Sequence, residues 1–331
     1  MTSRKNVTGY MTLLPQLYEV GKTYECEDGC LAARFYISVD NVSNVTGGDQ
    51  DQRFYEDRGG KFLQKYCVSA WNCIFFVSAN KNDIVANQCG DFITADKVTV
   101  INRLTIDDVI KQQVKYAKKS KSFLKIKNKQ PSISSEKQYQ SFLSSVRRSS
   151  IATAGDFSTI VFDGGNGDFS DKACSTTGFL TKIFATSDRV RISASGYYTF
   201  IATSGTDACL SASASNCDLA ATGANTTIAS AGGDTRITGK GNNNRIVAAG
   251  DGSSCSAAGE NNVIAIVGKY GKFKGIKGTQ VCAANYDKNG KCIDFVTGEI
   301  GKNGLKPDVT YTTLDGQFIE LQDQPNEGAA E

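Results

Sequence analysis

The stretch IASAGGDTRITGKGNNNRIVAAGDG, residues 228–252, repeats one pattern at a step of nine residues. In each unit an isoleucine is followed two positions later by a small residue and four positions later by a glycine. A period of nine does not match an amphipathic helix, and the glycines would weaken a helix. Two alternate inward positions followed by a glycine-rich bend are typical of a short β-strand and its turn.

The step of nine extends well beyond this stretch in both directions. Apolar residues occupy the positions in step with the isoleucines from Cys174 to Phe273. Two further units, which begin at Ile151 and Ile160, precede this series out of phase, and an insertion at residues 169–173 separates the two sets. The predicted core ladder is Ile183, Ile192, Ile201, Leu210, Leu219, Ile228, Ile237, Ile246 and Ile264.

Stacking of these strand-and-turn units predicts the fold. One unit cannot bury its apolar side chain alone, whereas a stack of units buries a continuous core. We therefore expect a mainly β protein, a nonapeptide-repeat β-solenoid flanked by a small α+β N-terminal domain and a C-terminal β-hairpin cap. Two repeats per coil would produce a flattened β-roll and three would produce a β-helix prism, and the spacing alone fits both.

The N-terminal part of the chain divides into two segments. Residues 1–104 are predicted to form a small β-rich domain, with a buried strand at residues 73–77. Residues 105–150 are predicted to hold an amphipathic helix, which starts at a capping-box-like sequence and ends near Lys119, and then a basic and serine-rich connector. The connector is expected to be either a flexible tether or a second short helix over residues 136–146.

The rest of the chain divides into three segments. The solenoid is predicted to cover residues 151–275. Residues 276–321 are expected to form two β-hairpins, with turns at Asn289-Gly290 and Asp315-Gly316. Residues 322–331 are acidic and are expected to be disordered.

The composition limits the chemistry that the chain can perform. It has no histidine among its 331 residues, and histidine is the commonest general base and the usual partner of a nucleophilic serine or cysteine. Candidate carboxylates are Asp107, Asp108, Asp156, Asp163 and Asp168. Turn and cap positions explain these aspartates, and no paired arrangement is visible. We therefore predict no enzymatic activity, no catalytic residue and no cofactor, with a degenerate enzyme domain as the second alternative.

The sequence contains two candidate metal-binding patterns, one for calcium in the repeats and one for zinc among the cysteines. Calcium-binding nonapeptides align an aspartate on every turn, whereas here only Asp234 and Asp251 come close to that pattern. The aligned positions otherwise hold Thr206, Asn225, Asn242 and Glu260. Among eleven cysteines, Cys26 and Cys30 have the spacing of a zinc finger, but Cys67, Cys73 and Cys89 provide no second pair. The sequence predicts no metal, and it favours reduced thiols in a reducing compartment.

The most basic segment is residues 111–129, which contain eight lysines and no acidic residue. This segment could contact a phosphate backbone or an acidic protein face, although lysines also suit the C-terminal end of a helix. The net charge of +3 argues against nucleic-acid binding by the chain as a whole. The contact residues would be Lys115, Lys118, Lys119, Lys121 and Lys125.

Several motifs resemble a group of uncharacterised phage and prophage proteins. They are YEVGKTYE at 18–25, IFFV at 74–77, VTVINRLTIDDVIK at 98–111, VGKYGKFKGIKGTQVCAANYD at 267–287 and LKPDVTYTTLDGQFIEL at 305–321. In that group a domain of unknown function precedes nonapeptide repeats of the S-G-D-x-S-T-A type. Where the group commonly has a C-x-x-G-F-H-F-C-like segment, this chain reads CEDGCLAARFYIS. The missing histidine implies that any chemical role of the segment is lost. The resemblance implies a viral origin and supplies no activity.

These observations predict a non-enzymatic, phage-encoded structural or adhesive protein. Its rigid solenoid would join the virion or present a binding surface to a host molecule, and its partners would be phage or host proteins. A thin solenoid core also favours a homo-oligomer. The alternative is an intracellular interaction protein that inhibits a host defence or nucleic-acid machine. With neither a signal peptide nor a membrane span in the sequence, we expect the protein in the virion or the host cytoplasm.

Overall fold

The computed structural model describes residues 6–12, 19–25, 33–36, 74–88, 92–126, 132–164 and 171–321. The chain divides into two compact units, residues 1–123 and residues 124–331. In the residues that the structure describes, the first unit contains strands and one α-helix, and the second contains the repeats. This division agrees with the predicted N-terminal α+β region and the predicted mainly β solenoid.

The first unit contains a seven-stranded antiparallel sheet with the strand order β2-β7-β4-β1-β3-β6-β5. Val77, Val98 and Val100 are buried in it, because alternate residues of a strand point to the same face. The predicted strand at residues 73–77 therefore exists. The strands are β1 (Asn6–Thr12), β2 (Thr23–Glu25), β3 (Ala33–Tyr36), β4 (Ile74–Asn80), β5 (Ile84–Gln88), β6 (Phe92–Ala95) and β7 (Lys97–Arg103).

The predicted helix, α1, spans Ile106–Lys119. Thr105 is its N-cap: the Thr105 Oγ1 accepts a hydrogen bond from the Asp108 backbone N–H at 3.2 Å, and Asp108 Oδ2 accepts one from the Thr105 backbone N–H at 3.0 Å. This reciprocal pair is a capping box. The hydrogen bonds from the Thr105 backbone and side chain lower the pKa of the Asp108 carboxyl. Ile106, Val109 and Ile110 form part of the buried stripe of the helix.

The second unit is a solenoid built from two sheets, and each coil contributes one strand to each sheet. The first sheet contains β8 (Phe123–Ile126), β10 (Ser141–Ser144), β12 (Thr159–Phe162), β14 (Lys182–Ala185), β16 (Phe200–Thr203), β18 (Asp218–Ala221), β20 (Arg236–Gly239), β22 (Ser254–Ala257) and β24 (Lys272–Gly275). The second contains β9 (Ser132–Ser135), β11 (Ser150–Thr153), β13 (Ala173–Thr176), β15 (Arg191–Ala194), β17 (Cys209–Ala212), β19 (Thr227–Ser230), β21 (Arg245–Ala248), β23 (Val263–Ile266) and β25 (Gln280–Tyr286).

The register of the strands decides how many repeats form a coil. Ile228 pairs in parallel with Leu210 on one side and with Ile246 on the other. These residues are 18 positions apart in the sequence, so two nonapeptides form each coil. The fold is therefore the flattened β-roll rather than the three-sided prism.

The predicted core ladder is buried along the whole stack. Each of its nine members has a relative exposure of 2% or less. The members from Ile183 to Ile246 alternate between the two sheets, and Ile264 lies in the second sheet. The other inward position is filled by small side chains such as Ala194, Ala212 and Ala248, which are also buried. Apolar side chains from both sheets thus meet in a thin interior, because each short strand presents only two residues inward.

The outer faces of the two sheets differ. All four side chains of each strand are buried in β12, β14, β16 and β18 of the first sheet. In β13, β15 and β17 of the second sheet, exposed and buried side chains alternate. The second sheet therefore offers its outer face to solvent.

The solenoid begins earlier in the chain than the sequence predicted. Residues 132–135 and 141–144 form β9 and β10, which pair in parallel with β11 and β12. The prediction of a flexible tether or a second helix over residues 136–146 was therefore wrong. Ile133 and Phe142 occupy the ladder position in these strands and continue the step of nine towards the N-terminus.

An insertion interrupts the repeat between β12 and β13. Ile160 pairs with Ile183 and Ile151 pairs with Cys174, so these coils are longer than the standard 18 residues. Both early units belong to the same array, as predicted. Ala173, which the sequence analysis placed in the insertion, is the first residue of β13.

Many corners of the solenoid share two features. The sixth residue after the ladder position adopts a left-handed conformation, as Asn243 does with φ 58°. The seventh is buried, and at several corners its side chain donates a hydrogen bond to the carbonyl oxygen of the residue three positions earlier, whereas Val190 and Ala208 have no polar group to do so. Thr199 Oγ1 donates to the Gly196 carbonyl oxygen at 2.7 Å, and Asn262 Nδ2 donates to that of Gly259 at 2.8 Å. These bonds satisfy corner carbonyl groups that would otherwise be buried without a partner.

Two β-hairpins end the stack, as predicted. β26 (Cys292–Glu299) pairs with β25, and β27 (Tyr311–Leu314) pairs with both β24 and β28 (Gln317–Glu320), all antiparallel. Positive φ values at Asp315 and Gly316, 48° and 75°, are those that a tight two-residue hairpin turn requires. Phe318 packs edge-on against Phe273 with ring centroids 4.9 Å apart, so the second hairpin covers the inward side chain of β24.

Candidate functional site

The corners that lead from the second sheet to the first carry a row of aromatic residues. We call this row the aromatic edge and define it as Tyr139, Phe157, Phe179, Tyr197 and Tyr198. It follows the first coils of the solenoid, because Tyr139 comes after β9, Phe157 after β11, Phe179 after β13 and the two tyrosines after β15. Four of these side chains are exposed, from 37% at Phe179 to 71% at Tyr139.

The rings of the aromatic edge contact one another from coil to coil. The Tyr139 ring is stacked on the Phe157 ring, with centroids 4.8 Å apart and planes 3° from parallel. Phe157 and Phe179 meet edge to face at 5.9 Å, and Phe179 and Tyr198 do so at 5.4 Å. Because one pair of rings is stacked and the other two pairs meet edge to face, the ring faces point in different directions along the edge. The result is a continuous, one-ring-wide apolar strip parallel to the stack.

The backbone beneath these rings is strained. Tyr139, Phe157 and Tyr198 have φ values of 55–56°, a region that bulky residues seldom occupy and that costs them about 1–2 kcal/mol. Later coils place Asn216 and Asp234 at the same position, and these residue types tolerate it better. An aromatic pair contributes about 0.5–1.5 kcal/mol, so stacking roughly offsets the strain. The aromatic residues therefore add little net stability. The left-handed conformation itself recurs at corners throughout the solenoid, for example at Leu180, Arg189 and Tyr270.

Polar groups border the strip and hold its corners in place. Asp156 Oδ1 accepts a hydrogen bond from the Phe179 backbone N–H at 2.8 Å, and Asp156 Oδ2 accepts one from Gln138 Nε2 at 3.3 Å. The Phe157 backbone N–H donates to the Phe179 carbonyl oxygen at 2.8 Å. These bonds join neighbouring coils, so the rings are presented by a preorganised backbone.

The opposite edge of the solenoid has a different character. At the equivalent left-handed positions it carries Arg189, Asp207, Asn225, Asn243 and Asn261. Asn243 Nδ2 donates a hydrogen bond to Asn225 Oδ1 at 3.2 Å, so the amide side chains bond along the stack. Where the structure describes this edge, its left-handed corner positions are therefore polar.

The structure places the candidate carboxylates in separate structural roles. Asp107 and Asp108 lie in the first turn of α1, and Asp108 belongs to the capping box. Asp156 binds the corner of the aromatic edge. Asp163 Oδ2 accepts a hydrogen bond from Ser145 Oγ at 3.3 Å, and Asp168 lies outside the described residues. The four described aspartates therefore form no common site.

The aspartates nearest to the calcium pattern also bond within the fold. Asp251 Oδ1 accepts a hydrogen bond from the Lys269 backbone N–H at 2.8 Å, and the Asp234 backbone N–H donates to the Asp251 carbonyl oxygen at 2.8 Å. Asp234 takes the left-handed corner position, with φ 51°. Within the described ranges no three cysteine or carboxylate side chains are close enough to bind a metal ion. The cysteines weighed for zinc, Cys26, Cys30, Cys67, Cys73 and Cys89, lie outside the described residues.

The lysines of the predicted contact segment lie on the protein surface. Lys115, Lys118 and Lys119 are exposed on α1, Lys121 is exposed in the following turn, and Lys125 is exposed on β8. Lys118 and Lys119 occupy the last turn of the helix, where a positive charge interacts favourably with the helix dipole. Both the contact and the helix-end explanations therefore fit their positions.

Comparisons with known proteins add no name to these features. No family model, no curated protein and no solved structure matches the chain. None of the helices in the described ranges combines the length and apolar character that a membrane-spanning segment requires.

The sequence analysis missed the aromatic edge. Tyr139, Phe157 and Tyr198 each lie six residues after a ladder position, namely Ile133, Ile151 and Ile192. Aligning the nonapeptides on their isoleucines would have brought these aromatic residues into one column. The sequence could not show that these three residues lie on one edge. Every second corner falls on the same edge only when two repeats form a coil, and the sequence left the number of repeats per coil open.

Proposed function

We propose that the protein is a non-enzymatic adhesive protein of a phage, and that its solenoid presents the aromatic edge to a glycan on the host surface. The observation that carries this proposal is the row of exposed aromatic rings in consecutive coils. Aromatic faces stack on the C–H-rich faces of sugar rings, and the bordering amide, carboxylate and hydroxyl groups can bond to sugar hydroxyls. The rings are already held in position, which lowers the entropy lost on binding.

The shape of the strip supports a linear ligand. A standard protein interface covers about 800 Å² on each partner and has a broad apolar centre, whereas the aromatic edge is one ring wide between polar corners. An extended glycan that runs parallel to the stack can contact several rings in succession. A chain without histidine, whose described candidate aspartates are engaged in caps and corners, supports binding rather than bond cleavage.

Replacement of the strained aromatic residues tests the proposal. The triple variant Tyr139→Asn, Phe157→Asn and Tyr198→Asn introduces the residue type that later coils use at the same position, so the fold should be retained. Binding of the full chain to immobilised host-surface glycans should fall at least about tenfold. Thermal unfolding checks that the variant is folded.

Tyr270→Asn is the matched control. Tyr270 has the same edge position, with φ 58° and 78% exposure, but it lies several coils beyond the aromatic edge. This variant should bind like the parent. A folded triple variant with undiminished binding would overturn the proposal, as would a parent chain that binds none of the host glycans. Mass spectrometry of purified virions tests separately whether the protein is part of the particle.

One observation supports the alternative function of an intracellular interaction protein. Lys115, Lys118 and Lys119 are all exposed on α1, where they could contact an acidic host protein. In this case Lys118→Glu with Lys119→Glu should abolish the recovery of a partner from infected cells, while the asparagine variants of the aromatic edge should leave it unchanged. The opposite pattern favours adhesion.

A further inference from the structure

A cleft of about 410 Å³ lies at the C-terminal end of the solenoid, on the side that carries the aromatic edge. Its walls include the last corner on this side, residues 268–271, the turn of the first hairpin, residues 287–290, and residues 312–315 of the second hairpin. Pockets for small molecules commonly enclose about 300–1,000 Å³. The cleft is therefore large enough for one small ligand.

The cleft exists because the last strand of the second sheet does not bend where the earlier strands do. β23 ends at Ile266, which pairs with Ala283 of β25. β25 continues for three more residues, to Tyr286, and the chain then turns back into β26. On this side the stack thus ends at the corner of residues 268–271, and the cleft lies beyond that corner.

A backbone donor at this last corner points towards the cleft. On this side of the solenoid, each left-handed corner residue before it donates its N–H to a carbonyl oxygen of the next coil, as Gly252 does to Lys269 at 2.8 Å. Tyr270 has the same conformation, with φ 58°, and is next in the row. Among the described residues, no group accepts a hydrogen bond from the Tyr270 N–H. The corner therefore presents a preoriented donor to a ligand.

Lys269 places a positive charge beside this donor. Its Nζ lies 5.6 Å from the centre of the Tyr286 ring, and a Cβ atom at Gly290 would meet it, so the ammonium group reaches from the corner to the hairpin turn. Within the described ranges, Lys269 forms no ion pair with a carboxylate. A backbone N–H at a turn and a neighbouring ammonium group together favour an anionic oxygen ligand.

Two acidic residues limit the charge of that ligand. Asp287 and Asp315 also line the cleft. Asp287 Oδ1 accepts hydrogen bonds from the backbone N–H groups of Asn289 and Lys291, at 2.9 and 2.8 Å, whereas Asp315 is exposed in the turn of the second hairpin. Two carboxylates repel a dianion more strongly than a monoanion, and a carboxylate accepts hydrogen bonds from hydroxyl groups. A hydroxylated monocarboxylate therefore matches these charges better than a phosphate.

The other walls of the cleft combine apolar and polar side chains. Ile266, Ala284 and Leu314 contribute apolar surface, and Asn289 and Thr313 contribute amide and hydroxyl groups. A sugar ring has the same mixed character, because it carries C–H-rich faces and a rim of hydroxyl groups. The composition of the walls thus favours a carboxylated sugar over a simple aliphatic acid.

We propose that the cleft binds an acidic sugar of the uronic acid type. The sugar carboxylate contacts Lys269 Nζ and the Tyr270 N–H, where an additional coil would place a carbonyl oxygen, and the sugar hydroxyl groups bond to Asp315 and Asn289. Tyr270 takes part through its backbone, so Tyr270→Asn leaves the site intact. This inference does not depend on the proposed adhesive function, because the cleft and the aromatic edge share no residue.

An NMR titration of the full chain with glucuronate tests the proposal, with the backbone amide signal of Tyr270 as the readout. Glucuronate should shift this signal, because the N–H gains an acceptor. Glucose, which has a hydroxymethyl group in place of the carboxylate, should leave the signal unchanged. Acetate lacks the hydroxyl groups and inorganic phosphate carries additional charge, so both should bind at least about fivefold more weakly than glucuronate.

Variants locate the site. Lys269→Gln removes the charge at nearly unchanged side-chain length and should weaken glucuronate binding at least about fivefold. Lys291→Gln is the matched control: Lys291 is exposed beside the same hairpin turn but does not line the cleft, so this variant should bind like the parent. The triple asparagine variant of the aromatic edge should also bind glucuronate like the parent, which separates this test from that of the adhesive function.

Several outcomes would overturn the proposal. One is a Tyr270 amide signal that does not respond to glucuronate. Another is binding of glucose, acetate or phosphate as tight as that of glucuronate. A third is a folded Lys269→Gln variant that retains the affinity of the parent. Circular dichroism of each variant verifies folding.

Discussion

A Cβ atom at Gly223 would overlap the carbonyl oxygen of Gly205, one coil earlier in the solenoid. In the same way, a Cβ atom at Gly241 would overlap the carbonyl oxygen of Gly223, and a Cβ atom at Gly259 would overlap that of Gly241. The glycine of the repeat is thus favoured by the close approach of successive backbones, since a strand spacing of about 4.8 Å leaves little room for a side chain there.

Gly223→Ala should therefore lower the free energy of unfolding by about 1–3 kcal/mol, because the backbone must move to accommodate the methyl group. Ala214 stands in an equivalent position, which places the expected cost toward the lower end of this range. Gly233→Ala is the control, since its Cβ would meet no atom closer than the Asp251 carbonyl oxygen at 3.1 Å. Urea unfolding compares the two variants, and equal stabilities would contradict the close-approach explanation.

Ile228→Ala should be among the most damaging changes in the solenoid. Ile228 is fully buried, and Leu210 and Ile246 stack against it from the adjacent coils. Removal of a buried isoleucine side chain to alanine costs about 2–5 kcal/mol, and Ile228→Val costs about 0.5–1.5 kcal/mol. Thr227→Ala, at the neighbouring outward position, should change stability by less than about 0.5 kcal/mol. Thermal unfolding that fails to rank the variants in this order would contradict the ladder.

Asn243 combines a left-handed backbone with a side-chain bond to Asn225, and two substitutions separate these contributions. Asn243→Ala loses the hydrogen bond and also forces a Cβ into an unfavourable conformation, so it should cost about 1–3 kcal/mol. Asn243→Gly keeps the backbone relaxed and loses only the bond, for about 1 kcal/mol. If alanine proves as well tolerated as glycine in denaturant unfolding, the left-handed geometry is not what selects this residue.

Cys217 should make the solenoid sensitive to alkaline pH. Its thiol is buried in a column otherwise occupied by Thr199 and Thr235, and burial raises its pKa from 9.0 to about 11. A pKa that is higher in the folded state means that the unfolded thiol loses its proton first. The contribution of the protonated Cys217 thiol to the free energy of unfolding is therefore fully present below about pH 9. As the pH rises towards 11, the free energy of unfolding falls by up to about 2–3 kcal/mol.

Cys217→Thr provides the comparison for this prediction. Threonine can donate the hydrogen bond that the thiol donates to the Ala214 carbonyl oxygen, at 3.2 Å in the parent, and it does not titrate in this range. The difference in unfolding free energy between variant and parent should increase in favour of the variant from pH 9 to pH 11. A constant difference would show that the Cys217 thiol does not ionise on unfolding.

The two ends of the solenoid differ in how well the sequence predicted them. Residues 132–144 contain so many polar side chains that they were interpreted as a connector, although Ile133 and Phe142 are in step with Ile151. A solenoid strand needs only one large inward side chain, because its coil neighbours supply the rest of the core. The hairpins at residues 280–320 were predictable, because Gly290, Asp315 and Gly316 adopt positive φ values in their turns, which few other residue types adopt at low cost.

The sequence by itself determined that short strands recur every nine residues with an aliphatic side chain inward, because only that period keeps isoleucine, small residue and glycine in fixed positions. It also determined the capping box of α1 and the turns of the hairpins, since these depend on residues close together in the chain. Only the tertiary structure decided that two repeats complete a coil, because closure depends on corner angles that many residue combinations allow. That closure brings Tyr139, Phe157 and Tyr198 to one edge.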